Sequence, residues 1–519
     1  MDGVVSVAGG LLRGSPEGAL WVFRGVRYAG SPVGARRWRP PVPVEPWRGV
    51  QDALSWGPIA PQSPPVPGFS IPGDPEDSHE DCLSLNIWTP GLDDRRRPVL
   101  VWVHGGGFTT GSGASVVYRG DRLAARGDAV VVTLNYRLGA LGFLAHPDLG
   151  SDDSAGCGNW GLWDQLAALG WLQENVGSFG GDPGNVTLFG ESAGAMSIAA
   201  LLSSPACGGL FQRAVLQSGP PATADVGWAA RRAERLSELA GVPSPGGLDR
   251  RALEHVDPRR LVGATQELAK EVPADGGLPL PLLPVVDGTI MSRPPAQAVA
   301  DGCAARVDLL IGTTRDEAAL FIATDPSAQQ LDHRKVVRRV QRVVEGRGAQ
   351  SLVEAYREAR ATRGEGTEPR DLLTAITTDF VFRLPSLALA TAAHKHRPST
   401  YAYLFTWESP FLGGIFGSSH GLEIPFVFGS VEDDSVGAFS GSGRDAVELS
   451  HAMSEAWLAF ARTGDPSCDA VGEWPSYDPL RRPTMVLGSR VGVEDDPRGR
   501  ERLAWDAAGI EIAGGHHHG

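Results

Sequence analysis

Apolar residues along this chain follow two rhythms. Val99 to Val103, Ala129 to Asn135, Asn185 to Leu188, Arg213 to Gln217, Val307 to Gly312 and Thr400 to Phe405 are short, β-branched-rich and almost uninterrupted, as expected of strands covered on both faces. Asn159 to Asn175 and Val447 to Thr463 instead space their apolar residues at helical intervals, the second closed by Gly464 before Pro466. Alternation of the two patterns predicts an α/β fold, a mostly parallel central sheet flanked by helices. Trp228 to Glu271 and Ser327 to Arg370, rich in Arg, Glu and Ala at helical spacing, are expected to form helical excursions over the carboxyl edge of the sheet. Proline clusters at Pro40 to Pro46, Pro58 to Pro75 and Pro279 to Pro284 mark loops, and the first two are expected to border an entrance there.

Chemistry enters where the strand Asn185 to Leu188 stops. Phe189-Gly190-Glu191-Ser192-Ala193-Gly194 is a G-x-S-x-G pentapeptide between that strand and the small-residue helix pattern Ala195 to Ala200, the strand, turn, helix context of a nucleophile elbow. In a chain with 67 glycines the pentapeptide alone says little. About 85 residues earlier, however, His104-Gly105-Gly106-Gly107-Phe108 follows the apolar run Val99 to Val103 and supplies an HGGG-type loop. Its glycines let backbone N–H groups face a developing oxyanion, and Gly106, Gly107 and Ala193 are the expected donors.

A serine hydroxyl needs a base and an oriented acid. Of the 12 histidines, His516 to His518 belong to a terminal Gly-Gly-His-His-His-Gly and are set aside, so the chain is read as one domain over 1–515 with a histidine tail at 516–519. His104 is expected to shape the glycine loop, and His394 and His396 flank Lys395 on a solvated surface. His79-Glu80 begins like H-E-x-x-H, but position 83 is leucine and the zinc reading fails. His420, in Ser418-Ser419-His420-Gly421-Leu422-Glu423 after the last long strand, stands in the Ser, acid, His order of α/β-hydrolases. The acid should follow the strand Val307 to Gly312, where spacing leaves Asp316 and Glu317 both open.

These segments together resemble the type-B carboxylesterase family, which includes the cholinesterases. The resemblance runs through Phe23 to Ala29, Glu80-Asp81-Cys82-Leu83-Ser84-Leu85-Asn86, the HGGG loop, Asn135 to Gly139, Gly158 to Gln165, Phe179 to Asn185 and the elbow, and is closest to bacterial esterases of the p-nitrobenzyl-esterase kind. It implies the α/β-hydrolase fold, Ser192 as nucleophile, Glu317 as acid, His420 as base, and Glu191 and Ser218 as supporting groups. It also sets an expectation for Cys82, which the cholinesterase branch pairs in a disulfide: the partner position here is Ala60, so all five cysteines (Cys82, Cys157, Cys207, Cys303, Cys468) are expected to be thiols and the loop between to be held by its prolines. That loop contains no tryptophan to stack on a choline head group, which disfavours choline esters.

Hydrolysis of a carboxylic ester through an acyl-enzyme is the expected reaction, with no metal or organic cofactor required. The same triad could serve an amidase or carbamate hydrolase, and a non-catalytic adhesion relative of the fold is the remaining rival. A Ser-Lys mechanism is excluded, because none of Lys270, Lys335 and Lys395 has serine three residues before it. Phe69, Phe108, Phe321 and Phe416 are candidates to line the substrate pocket. Free histidine titration sets an expected ascending pH limb at roughly 6 to 7. A net charge of −14 without a basic stripe argues against nucleic acid. An N-terminus without an apolar leader, no apolar run of about 18 residues and an odd cysteine count suggest a cytoplasmic protein without a membrane span.

Overall fold

In the computed structural model the described residues are 3–64, 73–150, 156–243, 246–272, 280–344, 348–510 and 516–517. Their main sheet has 11 strands: β1 (Ser15–Glu17), β2 (Leu20–Arg27), β3 (Ser84–Thr89), β4 (Arg97–Val103), β5 (Val130–Leu134), β6 (Gly181–Glu191), β7 (Arg213–Gln217), β8 (Asp308–Thr314), β9 (Thr400–Phe405), β10 (Pro483–Leu487) and β11 (Val491–Asp495), in spatial order β11-β10-β9-β8-β7-β6-β4-β5-β3-β2-β1. From β10 across to β5 every neighbouring pair is parallel, and the strands beyond at either end are antiparallel.

The uninterrupted apolar runs are explained by covering on both faces. Along β4, Val99, Val101 and Val103 enter the core shared with helices α1 (Trp160–Asn175) and α2 (Ala193–Leu202), whereas Leu100 and Trp102 enter the opposite core, built on the long helix Arg444–Thr463. Alternate side chains thus feed opposite layers, as strand geometry requires.

The two Arg/Glu/Ala-rich stretches part company. The first forms α3 (Val226–Leu239) and α4 (Pro258–Lys270), with α4 over the carboxyl edge. The second forms α5 (His333–Val343) and α6 (Ala349–Thr362), which pack with α7 (Pro369–Thr378), Trp505 and the segment just past the carboxyl end of β8 (Ala318, Ile322) into a separate apolar cluster, and neither lines the cavity over Ser192. An internal core of their own is available because both carry an apolar stripe opposite their charged faces. Beyond α7, a π turn (Asp379–Arg383), α8 (Leu384–His394), α9 (Arg444–Thr463) and α10 (Gly499–Ala507) complete the helices used below. The continuous helix 369–394 is long and apolar enough to cross a membrane, but most of its apolar window is packed inside the protein. The backbone of 516–517 pairs with Thr223–Ala224, so part of the tail set aside above lies along the fold.

Candidate active site

The strand order itself locates the site. After β4 the chain builds β5 on one side and returns to build β6 on the other, so connections diverge between the carboxyl ends of β4 and β6, where open α/β sheets leave a crevice. Register aligns the two ends: Val103 pairs with Gly190, which sets the His104–Gly107 loop beside Glu191 and Ser192. Ser192 has φ 54° and ψ −123°, a strained conformation held at the entry to α2. The positions two residues to either side must be glycine, because a Cβ on Gly190 or Gly194 would lie 2.6 or 2.0 Å from the Val103 carbonyl oxygen. Ala193 opens α2, so its N–H has no acceptor within the helix. Gly106 and Gly107 line the cavity in front of Ser192, both at positive φ.

On the other side, Gln217 pairs with Glu191 and with Gly312, which levels Ser218 and the loop after β8 with the elbow. Glu317 is wholly buried: Oε1 accepts the Thr314 N–H at 2.7 Å and the Ser218 hydroxyl at 2.5 Å, and Oε2 lies 2.6 Å from Nδ1 of His420. Asp316 faces away, accepting from Arg315 Nε at 2.9 Å and the Ser418 N–H at 3.0 Å. Nε2 of His420 is 3.1 Å from Glu191 Oε1 but off line for a hydrogen bond, which leaves that buried oxygen without one.

Glu423, which sequence reasoning passed over although it lies three residues after His420, joins the cluster. Its Oε1 accepts from Gln217 Nε2 at 3.2 Å while Oε2, buried, has no partner. Three buried carboxylates thus surround one imidazole. Burial, then the Glu317 charge, pushes Glu191 up to about 7. Burial, then Glu191 and Glu317, pushes Glu423 up to about 8. Burial alone would lower His420, yet Glu191 and Glu317 outweigh it and raise the imidazole to about 9. His104 is pushed by burial down to about 4; it stacks on Tyr136 at 4.4 Å and bonds the Gly105 carbonyl at 2.9 Å, shaping the loop.

A cavity of about 330 Å³ opens over Ser192. Leu138, Leu141, Leu261, Val262, Leu280 and Phe321 give it apolar walls, and α4 adds Thr265 and Gln266. Of the four candidate phenylalanines, Phe321 lines this cavity. Phe108 is buried behind the glycine loop against Phe143 at 4.7 Å, its φ of 62° turning it into the core. Phe416 is buried against Phe411 and Phe439, beside Asp316 and away from Ser192. Phe69 falls outside the described residues. Pro61 and Ser63 border the opening, as does Leu280-Pro281 from the third proline cluster, which had not been expected there; among the described residues Pro40 to Pro46 do not. Helical periodicity announced α4 without saying which face the cavity would take.

All five cysteines are free, and Cys82 and Ala60 are both buried in the same core. Among the described residues of the loop between these two, Gln62 exchanges two hydrogen bonds with Gly111, at 2.8 and 2.9 Å, and Asp74 receives the Val116 N–H at 2.8 Å.

Residues 1–505 match the model of the carboxylesterase family. The chain belongs to that family. It is 37% identical over 503 residues to the para-nitrobenzyl esterase of Bacillus subtilis (96% of this chain, 97% of that one), and 39% identical over 497 residues to the phenmedipham hydrolase of Pseudarthrobacter oxydans (93% and 95%). The crystal structure of a Geobacillus stearothermophilus carboxylesterase superposes with a TM-score of 0.85 at 39% identity, covering 97% of this chain and all of that one. The fold is that of an α/β-hydrolase, and the protein is a serine carboxylesterase.

Proposed function

We propose that Ser192, His420 and Glu317 form the catalytic triad and that the N–H groups of Gly106, Gly107 and Ala193 receive the oxyanion. The contact that carries this reading is the 2.6 Å approach of Glu317 Oε2 to His420 Nδ1, a buried acid holding the tautomer that leaves Nε2 free to accept a proton. His420 takes the Ser192 proton as Oγ attacks the ester carbonyl; the imidazolium then protonates the leaving alcohol, and water enters by the same base. Ser192 and His420 line the same cavity, and the cycle requires Nε2 to turn from Glu191 to the Ser192 hydroxyl. Ser218 fixes the second oxygen of Glu317, and Glu191 supplies negative charge that stabilises the imidazolium. Phe321 and the α4 face form the substrate wall, whose uncharged lining suits neutral esters of modest size. Residues 1–515 act as one domain, in keeping with the family match across 1–505. A bacterial, cytoplasmic enzyme accords with the bacterial relatives and with five unpaired cysteines.

Steady-state hydrolysis of p-nitrophenyl esters from acetate to decanoate tests the reading: activity should be abolished in Ser192→Ala and fall off once the acyl chain outgrows the cavity. A second reading, hydrolysis of phenmedipham, is favoured by the 39% identity to an enzyme named for it, and direct assay with that compound decides it.

A further inference from the structure

Between α7 and α8 the helix 369–394 widens into a single π turn, in which the Leu384 N–H donates to the Asp379 carbonyl five residues back. Its cause is in the sequence. Pro385 lacks an N–H for the Val381 carbonyl, and its ring would collide with that carbonyl in a regular α-helix. The extra residue is accommodated by an ion pair across the turn: Arg383 donates to Asp379 at 2.6 and 2.8 Å, both side chains buried. Asp379 also accepts from the Tyr356 hydroxyl at 2.5 Å, which accepts from Trp505 Nε1 at 2.6 Å, and Arg383 reaches the Pro497 carbonyl at 3.2 Å. The turn is therefore anchored to α6 and to α10.

What the turn presents is directed at the proposed triad from behind. Phe382, buried, packs its ring 4.9 Å from the His420 ring, and Thr378 Oγ1 accepts the N–H of Ala318, next to Glu317, at 3.1 Å. Neither residue lines the cavity over Ser192. We propose that this π turn is a positioning device, in which Phe382 and Thr378, locked by the Asp379–Arg383 pair, hold the His420 ring and the Glu317 loop in working alignment. The inference rests on His420 and Glu317 being base and acid. Phe382 and Thr378 are positioning residues, since neither meets substrate.

Steady-state kinetics of the full-length protein on p-nitrophenyl acetate, from pH 5 to 10, provide the test. Misplacing a catalytic group by about 1 Å costs on the order of 100-fold, so Phe382→Leu should lower kcat by roughly 10- to 100-fold with KM within about twofold. Thr378→Val, nearly isosteric, should lower kcat several-fold at unchanged KM, and Thr378→Ser, which keeps the hydroxyl, should restore it. His420 faces Glu317, Glu191 and Glu423; a ring free to leave them should titrate lower, so the kcat/KM midpoint should fall in Phe382→Leu. A rise would mean that Phe382 merely excludes water. Wild-type kcat in Phe382→Leu, or a loss confined to KM, overturns the inference. Should Phe382→Leu not fold, Thr378→Val with wild-type kcat, or Thr378→Ser no better than Thr378→Val, overturns it equally. Activity in His420→Ala would instead overturn the triad reading on which it rests.

Discussion

Arg137 and Asp164 lie inside the protein, as do Glu191, Glu317 and Glu423 around His420. In the first group the charges match. Arg137 donates its backbone N–H, Nε and Nη2 to Asp164 at 3.0, 2.7 and 2.6 Å and a further bond to the Trp160 carbonyl, tying the segment after β5 to α1. In the second, three acids share one base and two carboxylate oxygens have no hydrogen-bond partner. A balanced buried pair costs desolvation and returns fixed geometry. An unbalanced cluster stores a tendency to hold protons, which is what acid–base chemistry uses.

If that division is right, damage to each group should show in different measurements. The largest effect belongs to the reacting unit: Ser192→Ala and His420→Ala should each lower kcat by roughly 10⁴ to 10⁶ with the melting temperature little changed. Near-wild-type turnover in purified Ser192→Ala would falsify the triad. Next, Glu317→Gln should cost about 10³ to 10⁴ in kcat, because the imidazole loses its tautomer, while Asp316→Asn should cost less than about tenfold. The reverse ranking would move the acid to Asp316, against its bonds to Arg315 and Ser418.

Asp164→Ala should do the opposite, leaving Arg137 buried without its partner and destabilising the fold by about 3–5 kcal/mol in urea titration, with kcat per folded molecule nearly unchanged. Equal loss of kcat and stability would erase the distinction between the two groups.

The pH profile should sharpen it further. His420 is raised to about 9 by its carboxylates, so the ascending limb of kcat/KM should lie on the alkaline side of the 6 to 7 expected from a free histidine. Glu423→Gln removes one negative neighbour and should move the limb to lower pH by about half a unit to one unit. Stability follows with a definite sign. The histidine's contribution is complete below its ordinary value and lost as pH rises through about 9, and the raised Glu191 and Glu423 likewise favour the fold most at acid pH, losing that contribution as pH climbs to about 7 and 8. The smallest effect is a null one: titration of denatured, unreduced protein should find all five thiols, and reductant should not move the melting temperature.

Much of this was legible in one dimension because local chemistry has local requirements. A serine at positive φ between a strand and a helix needs flanking glycines, strands covered on both faces must be apolar throughout, and both constraints are written at single positions from Val99 to Gly194. Phe108 and Phe416 were misplaced for the converse reason: an aromatic in a loop can turn either to the opening or to the core, and only packing against Phe143 or Phe411 decides. The stretch 327–370 was helical as read, but which surface its apolar stripe would meet depended on Trp505, more than 100 residues away.

The sequence by itself determined the strand and helix alternation, the elbow at Ser192, the glycine loop and the chain order of the residues proposed to react, since each is a matter of side-chain size and backbone freedom within a few residues. Spacing left Asp316 and Glu317 both open and only the family resemblance implied Glu317; tertiary structure set Glu317 against His420 and alone decided that Glu423 joins them. It also decided that α4 walls the cavity and that the π turn at Asp379 backs the imidazole. Those depend on side chains 99 and 103 residues apart meeting at strand ends brought level by sheet register, and on charges shifting one another's proton affinity through a low-dielectric interior.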